Sequence, residues 1–279
     1  MGNSHLKDKS IIVTGAGSGF GRLVGEKAAV LGAKITCVDI NQLGLDETVA
    51  LISDAGGTVQ GVIADVTQYE DMKSAAATAI ESYGVIDVIV NNAGIMPLAF
   101  YADHEAAIGK WHQCIDVNIK GVVNGIACVF DHMTERGEGH VINLSSIFGN
   151  APVAGSNVYG ATKVAVNYLS ESLRTESFGK IKVTVIKPTG VLSTGLVAGI
   201  VNPEAAIGVT GHSGASHRAL AGQLAEGTID PAYTNSESPK YMTLDAAYVA
   251  DQIIYAMNQP KGVSLGDITI RATGDHYII

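Results

Sequence analysis

Tyr159 and Lys163 are four residues apart in the run Tyr159-Gly160-Ala161-Thr162-Lys163. Four residues make about one helical turn, so the phenol and the ammonium would project from the same face of a helix. An ammonium held near a phenol favours the phenolate and lowers the phenol pKa from about 10 toward neutral pH. A tyrosine of this kind can exchange a proton with an alcohol or carbonyl oxygen. Alone, the pair fits better an ordinary helix that carries a buried Tyr and an exposed Lys, so the prediction depends on the rest of the chain.

A glycine cluster lies near the N-terminus. A β-branched run at 11–14 enters the cluster, and a helical pattern at 22–31 leaves it. Glycines let a backbone turn tightly against phosphates, and the free N–H groups at a helix start attract negative charge. The spacing is Gly-x-x-x-Gly-x-Gly and differs from Gly-x-Gly-x-x-Gly. We predict that this loop binds the pyrophosphate of a dinucleotide through Gly15, Ser18, Gly19, Phe20 and Gly21.

The next predicted strand ends in a carboxylate. Asp39 lies 24 positions after Gly15, close to the spacing at which an acid receives the hydroxyls of the adenosine ribose. A carboxylate there repels a 2′-phosphate, and Ile40-Asn41-Gln42 brings no Lys or Arg. The pattern favours NAD over NADP, with Asp39 and Ile40 as cofactor contacts. The alternative is that Asp39 is an ordinary N-cap for the helix that begins near position 43.

Composition narrows the class of protein. The chain has 279 residues, is 47% hydrophobic and has a net charge of −9. The acidic balance argues against nucleic acid or an anionic membrane surface as a partner. The three cysteines lack Cys-x-x-Cys spacing and the eight histidines are scattered, so we predict no metal site. Reduced thiols in the cytoplasm are the simplest account of the cysteines. No apolar run approaches the length of a membrane span.

Short apolar runs alternate with longer helical patterns along the chain. Runs such as 88–90 and 183–186 lack polar alternation, which is typical of strands covered on both faces. Repeated βαβ units predict an α/β fold, a doubly wound parallel sheet with helices on both faces, as one domain over 1–279. The predicted strands are 10–14, 34–39, 58–64, 86–90, 139–145, 181–187 and 267–271. The predicted helices are 19–32, 42–55, 68–83, 103–135 (possibly broken), 155–178, part of 196–228, and 243–258.

The segment 189–241 is rich in glycine and has no clear strand. Long connections in compact domains are usually lids or binding loops, and a mobile surface insertion is the alternative. Because it follows a strand whose end should face the nucleotide crevice, we interpret it as a substrate lid. Its polar ring side chains, Tyr233, Tyr241 and His212, are weak candidates for substrate contact.

Six spaced motifs together resemble the short-chain dehydrogenase/reductase family over roughly residues 8–193. The resemblance implies a Rossmann-type fold and an oxidoreductase. The motifs are Thr14 to Gly21, Asp65-Val66, Asn91-Asn92-Ala93-Gly94, Asn118, Asn143-Leu144-Ser145-Ser146, and Tyr159 to Lys163.

The resemblance also implies roles for these residues. Tyr159 would be the general acid/base, and Lys163 would hold the nicotinamide ribose and lower the pKa of Tyr159. Ser146, rather than Ser145, would donate a hydrogen bond to the substrate oxygen, and Asn118 would hold a water that joins Lys163 to solvent. The further cofactor contacts that it implies are Asp65, Val66, Asn92, Ala93, Gly94, Pro188 and Val191.

One loop departs from the family pattern. The family usually has Pro-Gly-x-Val-x-Thr after the sixth strand, whereas this chain has Pro188-Thr189-Gly190-Val191, with glycine one position late. Either Ser193 or Thr194 would then contact the carboxamide of the nicotinamide.

The expected activity is hydride transfer between NAD(H) and a secondary alcohol or ketone, with small molecules as the only substrates. The alternatives are an NAD-binding sensor or scaffold without catalysis, a sugar-nucleotide epimerase or dehydratase, and an NADP-dependent ketoacyl reductase. The resemblance also implies a homodimer or homotetramer formed through helices at about 103–135 and 155–178. The identity of the substrate is left open.

Overall fold

The computed structural model describes residues 4–191 and 194–279. Within them, seven strands pair in parallel in the order β3-β2-β1-β4-β5-β6-β7. The predicted doubly wound parallel sheet is therefore confirmed. The strands are β1 (Ser10–Thr14), β2 (Lys34–Asp39), β3 (Thr58–Ile63), β4 (Val88–Asn91), β5 (Gly139–Leu144), β6 (Ile181–Pro188) and β7 (Asp267–Ile270).

Helices connect these strands and cover both faces of the sheet. The helices are α1 (Gly19–Val30), α2 (Gln42–Asp54), α3 (Tyr69–Tyr83), α4 (His104–Ile115), α5 (Gly121–Arg136), α6 (Asn157–Glu176), α7 (Gly214–Ala225) and α8 (Ala246–Met257). The long helical pattern predicted at 103–135 is broken, as the prediction allowed. A π-helical turn, Asp116–Lys120, joins α4 to α5, and such turns are frequent at functional sites.

The order of the strands creates a crevice beside β1. The chain runs outward from β1 to β3, then crosses back to place β4 on the other side of β1. The connections that leave the carboxyl ends of β1 and β4 therefore diverge. In open α/β sheets, ligands bind at such a switch point. The residues that follow β1, β2, β4, β5 and β6 all emerge at this edge.

The core lies on both faces of the sheet, as the apolar strands predicted. Along β1, Ile11 and Val13 face one buried layer and Ile12 faces the other. The first layer includes Val24 of α1 and Val249 of α8, because these two helices pack on that face. Each buried aliphatic side chain of this kind contributes about 1.5–3 kcal/mol to folding. The two layers fix the sheet, and so fix where its carboxyl ends lie.

The segment 189–241 consists mainly of short 3₁₀ turns and one helix. The turns are Gly195–Gly199, Pro203–Ser213 and Pro231–Tyr233, and the helix is α7. The backbone turns sharply at Gly211, where φ is +51°. The segment lies against the carboxyl end of the sheet and reaches the cavity described below.

Candidate active site

A cavity of about 910 Å³ opens at the carboxyl ends of the strands. Most of the side chains predicted from the sequence meet there, although they come from distant parts of the chain. Of the predicted catalytic and cofactor-binding residues that the structure describes, Gly21 and Asn118 do not line it, and Ser193 lies outside the described residues. The candidates that line the cavity are Gly15, Ser18, Gly19, Phe20, Asp39, Ile40, Asp65, Val66, Asn92, Ala93, Gly94, Ser146, Tyr159, Lys163, Pro188, Val191 and Thr194.

The glycine loop has the shape that close approach to a phosphate requires. Gly15 has φ of +65°, a conformation that residues with a side chain rarely adopt. A β-carbon at Gly21 would overlap the carbonyl oxygen of Gly15, so only glycine fits there. Ser18 is the N-cap of α1, and its side chain makes no capping hydrogen bond. The first N–H groups of α1 are thus free to bind an anion.

Asn92 acts on the glycine loop through hydrogen bonds. Its Nδ2 donates to the carbonyl oxygens of Thr14 (2.9 Å) and Gly15 (3.2 Å). The backbone N–H groups of Asn92 and Ala93 both donate to Oγ1 of Thr14, at 3.0 and 3.1 Å. These bonds join the end of β4 to the end of β1. Asn92 therefore shapes the loop. Thr14, which was not among the predicted cofactor contacts, supports the same arrangement.

Asp39 is the last residue of β2 and lines the cavity. Its Oδ2 accepts from the N–H of Gly17 and its Oδ1 from the N–H of Asn41, each at 2.8 Å. The alternative that Asp39 caps α2 is wrong, because Asn41 is the N-cap and accepts from the N–H of Gly44 at 3.2 Å. Each Asp39 oxygen keeps a lone pair for a further donor.

The charges that line the cavity are mostly negative. Asp39 and Asp65 both line it, and Lys163 is the sole Lys or Arg among the described lining residues. Arg22 lies behind the glycine loop, where its Nη2 donates to the carbonyl oxygen of Gly17 at 2.6 Å and to Glu47 Oε2 at 2.8 Å. Its charge is thus compensated by a carboxylate on α2.

Tyr159 and Lys163 lie on one face of α6, as their spacing predicted. The ring of Tyr159 is buried and packs edge-on against Phe148, with centroids 5.7 Å apart. Nζ of Lys163 is 5.7 Å from the centroid of the Tyr159 ring. The same Nζ donates to the carbonyl oxygen of Leu144, at the end of β5, at 2.8 Å. The phenol and the ammonium therefore sit together where β5 meets α6.

The structure contradicts the expectation that the pKa of Tyr159 is lowered. Burial raises the pKa of Tyr159, and a hydrogen bond with Ser146 lowers it only in part. Burial also lowers the pKa of Lys163 to about 8. The prediction gave most weight to the charge of Lys163, but in a buried site the loss of hydration disfavours both charged forms. Tyr159 is thus a protonated phenol at neutral pH, and Lys163 keeps most of its charge.

The two serines after β5 do different things. Oγ of Ser145 donates to the carbonyl oxygen of Lys163 at 3.2 Å and so fastens β5 to α6. Oγ of Ser146 accepts from the N–H of Phe148 at 3.3 Å and also interacts with the phenol of Tyr159. Ser146 is therefore the serine placed to meet an oxygen held by Tyr159.

Asn118 lies in the π-helical turn and is buried. Its Oδ1 accepts from the N–H of Ile95 at 3.0 Å, and its Nδ2 donates to the carbonyl oxygen of Ile95 at 3.0 Å and to Oγ1 of Thr162 at 3.1 Å. A β-carbon at Gly94 would lie 3.2 Å from Asn118 Oδ1 and 3.8 Å from Lys163 Nζ. Asn118 thus holds the strand-end segment beside Lys163, and Gly94 leaves room between the two side chains.

The loop after β6 is held by the segment before α8. The carbonyl oxygen of Gly190 accepts from the N–H of Leu244 at 3.0 Å, and Val191 forms a bridge with Leu244. Gly190 is the glycine that comes one position later than in the family pattern, and a β-carbon there would overlap the hydroxyl of Tyr277. The departure from the family pattern therefore coincides with a contact from the C-terminal tail.

The polar residues that face the substrate side are not those the sequence suggested. His212 is exposed, Tyr233 lies under Lys240, and the hydroxyl of Tyr241 accepts from the N–H of Asp245 at 2.8 Å. His217 and Tyr277 line the cavity instead. No short-range motif marks either residue, because contacts between distant parts of the chain, such as that of Tyr277 with Gly190, bring them to the cavity.

In residues 4–191 and 194–279, no helix has the length and apolarity to cross a bilayer. In the same ranges, no three His, Cys, Asp or Glu side chains converge as metal ligands do.

Comparison with known proteins identifies the family. A model of the short chain dehydrogenase family matches residues 9–205. An uncharacterised oxidoreductase of Listeria monocytogenes is 34% identical over 278 residues, which are 98% of this chain and 99% of that protein.

Solved structures agree with this match. The closed form of serine dehydrogenase complexed with NADP+ has a TM-score of 0.78 at 28% identity, with 96% of this chain and 97% of that chain covered. A short chain dehydrogenase/reductase from Burkholderia phymatum in complex with NAD has a TM-score of 0.74 at 28% identity, with 95% and 89% covered. The chain thus belongs to the short-chain dehydrogenase/reductase family and is an oxidoreductase of that type.

Proposed function

We propose that the protein transfers a hydride between NAD(H) and a secondary alcohol or ketone. The observation that carries this proposal is that Ser146, Tyr159 and Lys163 line the same cavity as the glycine loop. A dinucleotide that lies along the cavity would have its pyrophosphate at the start of α1 and its nicotinamide end near Tyr159. When bound, the nicotinamide supplies or accepts the hydride.

The chain's own groups handle the proton and the developing charge. In reduction, the Tyr159 hydroxyl gives its proton to the carbonyl oxygen, and the Ser146 hydroxyl stabilises that oxygen by a hydrogen bond. Lys163 stabilises the resulting phenolate by its charge, and is also placed to hold a ribose hydroxyl. In oxidation each proton moves in reverse. Asn118 positions the segment beside Lys163, and we propose that it also holds a water that connects Lys163 to solvent.

Asp39 supports NAD in preference to NADP. Its carboxylate would accept hydrogen bonds from the ribose hydroxyls and would repel a 2′-phosphate. Among the described residues that line the cavity, no Lys or Arg stands near Asp39 to attract that phosphate, and Arg22 is engaged by Glu47. The glycine loop, which we propose holds the pyrophosphate, and Asp39, which we propose holds the ribose, line the same cavity, and this supports NAD as the cofactor.

A ketoacyl reductase and a sensor without catalysis are the competing functions. A carrier-bound acyl substrate and NADP both favour basic groups at the entrance, and the described lining supplies Lys163 alone. A sensor has no need for Tyr159, Ser146 and Lys163 to stand together. We therefore favour the dehydrogenase.

A screen of secondary alcohols and ketones tests this proposal. We expect turnover, followed by NADH absorbance at 340 nm, with a higher kcat/KM for NAD(H) than for NADP(H). Tight NAD binding by calorimetry with no turnover on any alcohol or ketone would favour the sensor. A preference for NADPH would overturn the assignment of Asp39.

We also propose that copies of the chain associate as dimers or tetramers through α5 and α6. Val123, Val164 and Tyr168 are exposed on these helices, and Tyr168 is 76% exposed. Exposed apolar side chains on neighbouring helices are typical of an interface between subunits. Light scattering should give a mass of two or four chains, and a monomer would contradict the proposal.

A cytoplasmic location is a further proposal. All three cysteines are free thiols, and burial raises the pKa of Cys37 and Cys128 to about 12 and that of Cys114 to about 11. Unreactive thiols of this kind suit a reducing compartment. Cell fractionation should find the protein with cytoplasmic markers, and recovery with an oxidising compartment would contradict it.

A further inference from the structure

The part of the cavity beyond Tyr159 is apolar on most sides. Its walls come from the end of β4 and from the segment after β6, and they carry Ile95, Met96, Leu98, Ile200, Ile207 and Val209. The polar rings of His217, in α7, and Tyr277, in the C-terminal tail, lie beside each other in the same lining. A pocket of this composition binds by burial of apolar surface and selects by its few polar groups.

The tail that carries Tyr277 is fastened in place. Nη2 of Arg271 donates to the carbonyl oxygen of Tyr277 at 2.6 Å, and Nη1 donates to that of Ile279 at 2.8 Å. Arg271 also forms an ion pair with Asp275 at 2.7 Å. On the other side, the N–H of Ile278 donates to the carbonyl oxygen of Val209 at 3.0 Å. The tail therefore closes the pocket with a defined backbone, and the direction of Tyr277 is set in advance.

The hydroxyl of Tyr277 is available to a ligand. It lies against Gly190, where a β-carbon would overlap it. Its oxygen makes no hydrogen bond to any residue in the described ranges, although the ring is half-buried. Burial raises the pKa of Tyr277 to about 12, so the hydroxyl keeps its proton and can donate.

His217 stands beside Tyr277 as a neutral partner. Its ring centroid is 6.0 Å from that of Tyr277 and 5.8 Å from that of His276. Nδ1 of His217 is buried and has no hydrogen-bond partner in the part of the chain that the structure describes. Burial, and then the neighbouring His276, lower the pKa of His217, so the imidazole is uncharged at neutral pH. A neutral imidazole offers one donor and one acceptor.

Resting on the proposed function, we propose that Tyr277 and His217 bind a second, uncharged oxygen of the substrate. The substrate is then an apolar ketone or secondary alcohol with a distal hydroxyl or carbonyl group. An uncharged group is favoured over a carboxylate or phosphate at that position, because among the described residues Lys163 is the sole Lys or Arg that lines the cavity. A site built to hydrogen-bond a substrate group rejects the analogue that lacks it, since its own polar groups then stay unpaired.

A series of paired ketones tests this inference. The probes are 2-alkanones of five to nine carbons and their ω-hydroxy counterparts, each reduced with NADH. For the wild type, we expect the ratio of kcat/KM (hydroxy over plain) to peak at one chain length. In Tyr277→Phe that peak should fall about tenfold, the size of one neutral hydrogen bond. His217→Phe should lower the same peak.

Three outcomes would overturn the inference. One is a wild-type ratio that does not rise at any chain length. Another is a ratio that Tyr277→Phe leaves unchanged. The third is an equal rise of KM for NADH and for the ketone in Tyr277→Phe, which would place the hydroxyl on the cofactor. Tyr255→Phe on the exposed side of α8 is the matched control and should change neither ratio nor KM.

A binding measurement separates this inference from the proposed function. The Tyr159→Phe protein with NADH binds a ketone without reducing it if Tyr159 is the acid. Quenching of NADH fluorescence then gives the Kd of each ketone, and the hydroxy ketone of the optimal length should bind about tenfold tighter than its plain partner. If Tyr159→Phe still turns over normally, the proposed mechanism fails while the ratio of kcat/KM still reports on Tyr277.

Discussion

The two halves of the cavity are built from different materials. The half that we propose for the cofactor consists of strand ends and the start of α1, and it offers mainly backbone N–H groups and the carboxylates of Asp39 and Asp65. The half that we propose for the substrate consists of side chains from the segment after β4, the 3₁₀ turns, α7 and the tail, and most of them are apolar. The first half depends on the geometry of the sheet, and the second on packing between segments far apart in the chain. Substitutions in the first half should therefore change mainly the binding of the cofactor, and substitutions in the second half mainly the KM for the substrate.

The largest effect on NAD binding is expected at Gly21. In Gly21→Ala, the new β-carbon would overlap the Gly15 carbonyl oxygen and push the loop out of shape. We expect the Kd for NAD, by calorimetry, to rise at least about 100-fold, or about 2.7 kcal/mol. Gly222→Ala is the control, since a β-carbon there meets open space in α7. Unchanged NAD binding in Gly21→Ala would contradict the role of the loop.

Asp39→Ala should have the next largest effect on the cofactor half. The variant loses charged hydrogen bonds to the ribose, each of which contributes about 1.5–3 kcal/mol. We expect the Kd for NAD to rise about tenfold or more while the Kd for NADP falls, so that the preference disappears. Retention of the full preference for NAD would show that another group selects the cofactor.

A smaller effect, confined to the substrate half, is expected for Gly190→Ala. The added methyl group displaces the Tyr277 ring, and overpacking of this kind costs about 1–3 kcal/mol. KM for the ketone should rise about fivefold to tenfold in steady-state assays, with a smaller change in the Kd for NAD. If KM for the ketone and the Kd for NAD rose by the same factor, substrate binding and cofactor binding would not be separable at this loop.

The pH dependence should differ between the two directions of the reaction. Reduction needs the phenol of Tyr159, whose raised pKa keeps it protonated, and the ammonium of Lys163, whose pKa is lowered to about 8. The rate of reduction should therefore decline as the pH rises above about 8. Oxidation needs the phenolate beside the ammonium, so its rate should increase with pH up to about 8 and then level off. An oxidation optimum at or below neutral pH would contradict this assignment of the proton.

The same contrast explains what the sequence could predict. The sequence was enough to predict the loop at 15–21 and the pair Tyr159 and Lys163, because their chemistry depends on neighbours within one helical turn or at one strand end. The pKa of Tyr159 was predicted with the wrong sign, since burial is a property of the assembled fold. His217 and Tyr277 were missed, because their place in the cavity depends on the path of the tail.

Single-turnover kinetics of Tyr159→Phe tests the central claim most directly. The enzyme is mixed with NADH and a ketone that the wild type reduces, and NADH oxidation is followed in stopped flow beside Tyr255→Phe. General acid catalysis contributes about 10²–10⁴ in rate, so we expect the hydride step to slow by that factor while the Kd for NADH stays within about threefold. A Tyr159→Phe protein that oxidises NADH at the wild-type rate would contradict the account.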